Sequence, residues 1–281
     1  MGRRCKLRAI PQSKIKAMRI PLFHVNAFTD QPFRGNPAAV CPLKDWLDDG
    51  LLRKVAAENN LSETAFFLPV GDHFELRWFT PRCEVSLCGH ATLASAYVLL
   101  NLLGHGIDTV RFETRFSGPL SVCRNGESFA MDLPAMFATI CYPPPDVLLA
   151  SLGRGPLPTT VLEANETYVA VYETAAAIQN IRPDFANLEQ LHPFAVSVTA
   201  PGDDADFVSR YFAPSYGIPE DPVTGSAHCV LTPYWTERLG RSKLYARQLS
   251  ERGGQLWCEM AGERVHIRGN AVLTLQGSLE I

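Results

Sequence analysis

Residues 77–91 read RWFTPRCEVSLCGHA, and residues 210–227 repeat their pattern as RYFAPSYGIPEDPVTGSA. Each copy has an arginine, two aromatic residues and a proline, followed by a glutamate that stands five residues before a glycine, Gly89 or Gly225. A repeat with so long a period predicts two duplicated domains and not a solenoid of short units.

An apolar helix is predicted after each of these glycines, over residues 89–103 and 225–239. The first segment is apolar nearly all round, which is typical of a helix enclosed by a sheet. We expect Pro233 to kink or shorten the second helix. The other apolar runs are mostly short and read as strands. The sequence therefore predicts an α+β fold with one long enclosed helix in each half.

The start of each predicted helix is a candidate anion site. The first turn of a helix has backbone N–H groups without helical acceptors and carries the positive end of the helix dipole. In a single copy, the glycine would more simply allow a tight turn into the helix. A matched pair favours an anion site, in which Gly89 and Gly225 bring both helix starts to one carboxylate in the cleft between the domains.

Glu63 is the candidate proton carrier. It lies in the stretch LSETAFF at 61–67, between the polar exit of a predicted helix and a strongly apolar run. This context puts the carboxyl group at the mouth of a core, where it could work as both base and acid. The alternative is that Glu63 only caps a loop or forms a salt bridge.

Composition excludes several classes of function. The chain has 281 residues, long enough for two ordinary domains or one large one. Of these residues 46% are hydrophobic and 20% charged, which gives enough apolar surface for sizeable cores. The net charge of −3 argues against a broad nucleic-acid face. No apolar run approaches the roughly 20 residues that cross a bilayer. The eight cysteines include no C-x-x-C pair, which favours a cytoplasmic protein over a disulfide scaffold or a zinc ribbon.

Residues 1–17 differ in kind from the rest. They contain six arginine and lysine residues, no acidic residue and no apolar segment of a secretory signal. They are either a targeting extension or the product of a misassigned start, with Met18 as the true first residue. We expect them to lie outside the fold.

Four ordered segments resemble the phenazine-biosynthesis PhzF-like family. The resemblance runs from about Arg19 to Ile281, and Gly35-Asn36-Pro37 within its first segment reads as a turn. The four segments are RGNPAAV at 34–40, SETAF at 62–66, LCGHAT at 87–92 and EDPVTGSAH at 220–228.

This resemblance implies the diaminopimelate-epimerase-like fold. In that fold two pseudo-repeated domains each wrap a curled mixed β-sheet or barrel around a central α-helix, with the site between them. We place the N-terminal domain at 18–117 and the C-terminal domain at 118–266, and we expect 267–281 to return to the first domain. The resemblance also implies a homodimer that works without metal or organic cofactor.

The resemblance further implies the roles of individual residues. Glu63 would act as general acid and base, moving a proton between carbons of a small unsaturated or hydroxylated carboxylic acid. Catalysis would be assisted by His90, Asp221 and Ser226. The carboxylate would bind at the backbone amides of Gly89, His90, Gly225 and Ser226.

Three alternatives remain beside this isomerase. Cofactor-independent racemases on this fold use two facing cysteines, whereas this chain has Cys88 and Thr224, and threonine is a poor proton acceptor. A racemase that uses Cys88 would lose activity in Cys88→Ala but not in Glu63→Gln. A binding protein without turnover is the second alternative. A metal site is the least favoured, because Cys88 and His90 flank one glycine and His228-Cys229 completes no ligand set. The sequence does not identify the substrate.

Overall fold

The computed structural model describes residues 18–104 and 106–281, so the predictions for residues 1–17 lie outside the described residues. The described residues form eighteen strands and six α-helices, which confirms the α+β class. The strands are β1 Arg19–Ala27, β2 Asn36–Pro42, β3 Glu63–Val70, β4 His73–Phe79, β5 Glu84–Val85, β6 Thr109–Thr114, β7 Gly118–Asn125, β8 Ser128–Pro134, β9 Thr139–Ile140, β10 Thr160–Ala164, β11 Thr167–Val171, β12 Ala195–Pro201, β13 Phe207–Ala213, β14 Ile218–Asp221, β15 Lys243–Gln248, β16 Gly254–Ala261, β17 Arg264–Gly269 and β18 Ala271–Glu280. The helices are α1 Asp49–Asn59, α2 Gly89–Tyr97, α3 Asp146–Ser151, α4 Ala175–Gln179, α5 Phe185–Leu188 and α6 Gly225–Leu239.

The order and direction of strand pairing repeat in the two halves. In the first half, β1-β2-β3-β4-β6-β7-β8 pair in the order antiparallel, parallel, antiparallel, parallel, antiparallel, antiparallel. In the second half, β10-β11-β12-β13-β15-β16-β17 pair in the same order. The duplication that the sequence repeat predicts is therefore present in the sheet topology.

Two strand pairings join the halves. The last strands of the two repeats, β8 and β17, lie antiparallel to each other. The C-terminal strand β18 pairs with β1 over its whole length, from Arg19 opposite Glu280 to Ala27 opposite Ala271. The division of the chain at residue 117 stays a prediction.

The two long helices lie inside the curled sheet, as expected from their apolar sequences. Every residue of α2 from Gly89 to Ala96 is buried, and the helix continues through a π-helical turn at Val98–Leu102. Helix α2 packs against β1, β2, β3, β7 and β8, and α6 packs against β15, β16 and β17. None of the helices in the described ranges is long and apolar enough to cross a membrane.

Pro233 does not shorten α6, so that part of the expectation is wrong, while the kink stays a prediction. The helix runs through the proline to Leu239. Proline lacks the N–H that would bond to the carbonyl of Cys229 one turn earlier. That carbonyl instead accepts a hydrogen bond from the backbone N–H of Met136 at 2.9 Å. The partner from outside the helix removes part of the cost of an interior proline.

The arginine and glutamate of the sequence repeat form the same ion pair in both halves. Arg77 donates from Nε and Nη2 to the two carboxylate oxygens of Glu84 at 2.7 and 2.8 Å. Arg210 does the same to Glu220 at 2.8 and 2.9 Å. Each pair fastens the short strand β5 or β14, which leads into the enclosed helix. The repeat is thus explained by the need to hold the start of each helix in place.

Candidate active site

The N-terminal ends of α2 and α6 touch each other at two glycines. A Cβ atom on Gly89 would stand 3.2 Å from the Cα atom of Gly225, and one on Gly225 would stand 3.3 Å from the Cα atom of Gly89. The cap residues Cys88 and Thr224 make no side-chain hydrogen bond to their helices. The first turns of both helices therefore keep N–H groups available for a ligand.

A cleft of about 490 Å³ opens beside this contact. Its lining contains every residue that the sequence analysis places in the site: Glu63, Gly89, His90, Asp221, Gly225 and Ser226. Within the described part of the chain, no lysine or arginine lines the cleft. A carboxylate bound here would therefore depend on backbone N–H groups and on His90.

Glu63 opens strand β3 and faces His90. The carboxyl group is held in place because β3 pairs in parallel with β2, which puts Ala38 opposite Glu63. Oε2 of Glu63 lies 3.0 Å from Nε2 of His90, and Glu63 is only 8% exposed. This oxygen is within ion-pair distance of His90 but has no well-aligned hydrogen-bond donor among the described residues. Oε2 is thus a buried carboxylate oxygen with capacity to accept a proton.

Asn36 links His90 to Asp221 and is a site residue that was not predicted from the sequence. The expected turn at 35–37 is wrong, because Asn36 and Pro37 already belong to β2. The buried Nδ2 of Asn36 lies 3.0 Å from Nδ1 of His90 and donates to Oδ1 of Asp221 and to the carbonyl of Val223, both at 2.8 Å. An amide nitrogen cannot accept a hydrogen bond, so its position against Nδ1 means that a neutral His90 carries its proton on Nε2, towards Glu63.

The surroundings also shift the acidity of His90. Burial alone would lower its pKa, but the neighbouring Cys88 and Glu63 raise the pKa well above its usual value. Besides Cys88, one cause is that the Glu63 carboxylate, whose Oε2 lies 3.0 Å from Nε2, stabilises the imidazolium. This shift favours the imidazolium form of His90 beside the ionised Glu63.

Asp221 is held by Thr224 and Gln248, and Gln248 was not predicted as a site residue. Thr224 donates from Oγ1 to Oδ2 of Asp221 at 2.5 Å. The buried Gln248 donates from Nε2 to the carbonyl of Asp221 at 2.8 Å and accepts from the N–H of Thr224 at 2.9 Å. Asn36 stands in one of the four segments that carry the resemblance, but no sequence signal marks Gln248. Ser226 is half-buried in the first turn of α6, at the position that corresponds to His90 in the sequence repeat.

The pH dependence of stability should change in Asp221→Asn. Burial raises the pKa of Asp221 to about 6, with the nearby His90 lowering it and the charge of Glu63 raising it. Because this pKa is raised in the folded state, the native protein binds the proton more tightly than the unfolded chain. The wild type should therefore lose stability as pH rises from about 4 to above 6.

Asparagine cannot titrate, so the variant should gain stability relative to the wild type over this pH range. Urea unfolding of both proteins at several pH values measures the difference. Parallel stability curves would show that Asp221 does not titrate differently in the folded state.

Cys88 has the position of a racemase thiol but not its acidity. Burial, with the charge of Glu63 as a further cause, raises the pKa of Cys88 to about 11. The equivalent cap in the second half is Thr224, whose hydroxyl is engaged with Asp221. The facing pair of thiols that a two-base racemase needs is therefore not formed at these two caps.

Cys88 and Cys83 should differ in their rates of alkylation, because Cys88 is buried and Cys83 is exposed at the same cleft. Thiolate is the reactive form, so at neutral pH Cys88 should react at least about 100-fold more slowly than Cys83 with iodoacetamide. Peptide mass spectrometry over a time course measures both rates. Equal rates would mean that Cys88 is accessible and acidic, as a thiol-dependent racemase requires.

Comparisons with known proteins agree with one another. The family model described as phenazine biosynthesis-like protein, PhzC-PhzF, matches residues 25–277. A Pseudomonas aeruginosa protein described as an uncharacterized isomerase is 50% identical over 264 residues, which are 94% of this chain and 100% of the relative.

Solved structures give the same result. The crystal structure of a phenazine biosynthesis protein of the PhzF family from Enterococcus faecalis has a TM-score of 0.88 at 42% identity, covering 94% of this chain and 100% of that one. A predicted epimerase from Pseudomonas aeruginosa has a TM-score of 0.67 at 23% identity, covering 92% of this chain and 99% of that one, and shares the fold.

Proposed function

The chain belongs to the phenazine biosynthesis-like PhzC-PhzF family and is an isomerase, and we propose that Glu63 is the general acid and base of its reaction. The substrate is a small unsaturated or hydroxylated carboxylic acid, in which a proton moves from one carbon to another. The observation that carries this proposal is the buried Oε2 of Glu63 at the cleft. It lies 3.0 Å from Nε2 of His90 and has no aligned hydrogen-bond donor among the described residues.

The carboxylate of the substrate binds between the two helix ends. Among the residues that the structure describes, the lining offers no side-chain cation other than His90. The first turns of α2 and α6 offer N–H groups and two positive dipole ends. Because Gly89 touches Gly225, both helix ends can reach one carboxylate. These fixed donors also stabilise the negative charge that develops when a neighbouring carbon loses a proton.

Proton transfer then follows from the position of Glu63. The carboxylate removes a proton from one carbon, and the resulting carboxylic acid returns it to another carbon of the same molecule. No electrons are gained or lost, so the net change is a shift of a double bond and a proton. His90 donates from Nε2 towards Glu63 or the substrate, and Asn36 and Asp221 keep its ring in the required tautomer. We also propose that the protein acts as a homodimer without organic cofactor.

A racemase that depends on Cys88 is the less favoured function. Its thiol would have to ionise in a position where burial and Glu63 raise the pKa to about 11. The opposing cap, Thr224, already donates its proton to Asp221. Neither group is arranged to receive a proton from a substrate carbon.

Deuterium exchange tests the proposed function. The wild type, Cys88→Ala and Glu63→Gln are incubated in D₂O with a panel of small hydroxylated, amino and unsaturated carboxylic acids, and deuterium at carbon is followed by NMR. Exchange or double-bond migration that persists in Cys88→Ala supports an isomerase. Exchange that depends on Cys88 and not on Glu63 would establish the racemase, and a protein that binds compounds without any exchange would be a binding protein.

A further inference from the structure

We propose that Glu63, Cys88 and His90 form a binding site for a borderline-soft divalent cation such as Zn²⁺, and that the bound cation switches the isomerase off. One carboxylate oxygen, one sulfur and one ring nitrogen of these residues all lie within 4.8 Å of one another. All three residues are buried. The inhibitory effect rests on the proposed role of Glu63, whereas the binding of the cation does not.

The separations of the donor atoms suit a tetrahedral metal. Metal–ligand bonds of about 2.0–2.3 Å place neighbouring ligand atoms about 3.3–3.6 Å apart in a tetrahedral site. Oε2 of Glu63 is 3.0 Å from Nε2 of His90, and Sγ of Cys88 is 3.9 Å from the same nitrogen. The side chains must rotate to reach the required values, because Sγ of Cys88 lies closer to Nδ1 of His90, at 3.5 Å.

A second observation points to a ligand at this place. Oε2 of Glu63 is a buried oxygen with no aligned hydrogen-bond donor among the described residues. Its near neighbour is Nε2 of His90 at 3.0 Å. A cation bound to both atoms would satisfy the incompletely bonded oxygen directly. The three residues come from regular elements, since Glu63 opens β3 and the other two lie at the start of α2. The site therefore needs no rearrangement of the backbone.

The donor set selects the class of metal. A thiolate, an imidazole and a carboxylate suit Zn²⁺, Co²⁺ or Cd²⁺ and not the hard cations Mg²⁺ and Ca²⁺. Three protein ligands would leave a fourth position towards the cleft, which all three residues line. On binding, the sulfur–hydrogen bond of Cys88 breaks, a sulfur–metal bond forms and the proton passes to solvent. Affinity should accordingly rise with pH.

Metal binding and catalysis exclude each other at His90. In the proposed reaction the ring carries its proton on Nε2, because Nδ1 faces the amide Nδ2 of Asn36 at 3.0 Å. A metal on Nε2 requires a neutral ring with its proton on Nδ1, where it meets that same amide donor. The cation also occupies the oxygen of Glu63 that would accept the substrate proton. The metal-bound protein is therefore inactive and its link to Asn36 is disturbed.

Cobalt absorption tests the site directly. Metal-free wild type is titrated with Co²⁺, and the thiolate-to-cobalt charge-transfer band and the visible bands of tetrahedral Co²⁺ are recorded. We expect one equivalent to bind, and excess Zn²⁺ to abolish both signals. Since loss of an outer-shell partner alone weakens a metal site by about 10–100-fold, Cys88→Ala should bind more than about 100-fold more weakly.

Cys83→Ala is the matched control, because Cys83 is an exposed thiol at the same cleft. It should keep the wild-type signal, and Glu63→Gln, an isosteric change, should bind more weakly than the wild type. Circular dichroism verifies that each variant is folded. A wild type without a charge-transfer band, or a band that survives in Cys88→Ala and disappears in Cys83→Ala, would overturn the proposal.

Inhibition of the reaction by the cation is measured separately from binding of the cation. Zn²⁺ at one equivalent should abolish deuterium exchange by the wild type, and a chelator should restore it. If the metal-free protein exchanges no compound, the proposed function fails, while the cobalt spectrum still decides the metal site. If exchange proceeds unchanged when the cobalt site is full, the site exists but does not regulate.

Discussion

The Glu63→Gln variant will exchange deuterium at carbon at least about 10³-fold more slowly than the wild type, a loss in the range of a missing general acid–base group. Glutamine keeps the size and shape of the side chain but cannot accept a proton. The change leaves the neighbours His90 and Ala38 in place. NMR of exchange in D₂O, with any compound that the wild type labels, measures the loss.

Glu166→Gln provides the matched control. Glu166 lines the same cleft, but it is exposed and bonds to the hydroxyl of Tyr216 at the rim. The same chemical change at this position should leave the exchange rate nearly unaltered. Exchange that persists in Glu63→Gln and disappears in Cys88→Ala would transfer the role of proton carrier to the thiol.

The Arg210→Met variant will lose about 3–5 kcal/mol in the free energy of unfolding, the usual cost of removing one partner of a buried ion pair. Arg210 is 8% exposed and binds both oxygens of Glu220. It also donates to the carbonyls of Ile178 and Ile181 at 3.0 and 2.9 Å. The variant therefore leaves a carboxylate and two carbonyls without their donor. Urea unfolding followed by circular dichroism measures the change.

Arg77→Met is the equivalent substitution in the other half and should destabilise the protein less. Glu84 keeps a second partner, because Arg115 reaches it at 3.1 Å. The other partner of Arg77 is Asp49, an exposed carboxylate that water can solvate. An equal loss in the free energy of unfolding for both variants would mean that the carbonyl contacts of Arg210 and the second partner of Glu84 do not contribute to stability.

The duplicated fold places its chemistry asymmetrically. The strand that follows α1 opens with Glu63, whereas its counterpart in the second half, β12, opens with Ala195. The helix caps also differ, since the first helix is capped by Cys88 and the equivalent second helix by Thr224. In the proposed mechanism, one half therefore provides the proton carrier, and both halves provide helix ends for the substrate. This asymmetry suits one carboxylate that takes up and returns the same proton.

Local sequence patterns were sufficient for the overall architecture. The repeat around Gly89 and Gly225 predicts two like halves, because duplicated segments with the same turns and apolar periodicity fold in the same way. It also predicts the enclosed helices, since a helix that is apolar all round must be covered. The resemblance in the four segments at 34–40, 62–66, 87–92 and 220–228 then led to the PhzC-PhzF family and to an isomerase.

Contacts between distant segments depend on sheet register and could come only from the tertiary structure. Asn36 reads as part of a turn, yet the pairing of β2 with β1 and β3 buries it between His90 and Asp221. Gln248 reaches Thr224 because β15 ends beside the start of α6. The approach of Glu63 to Cys88 and His90 has the same origin. Residue spacing along the chain encodes turns and periodicity, whereas the distance between two side chains on different elements is set by how the elements pack.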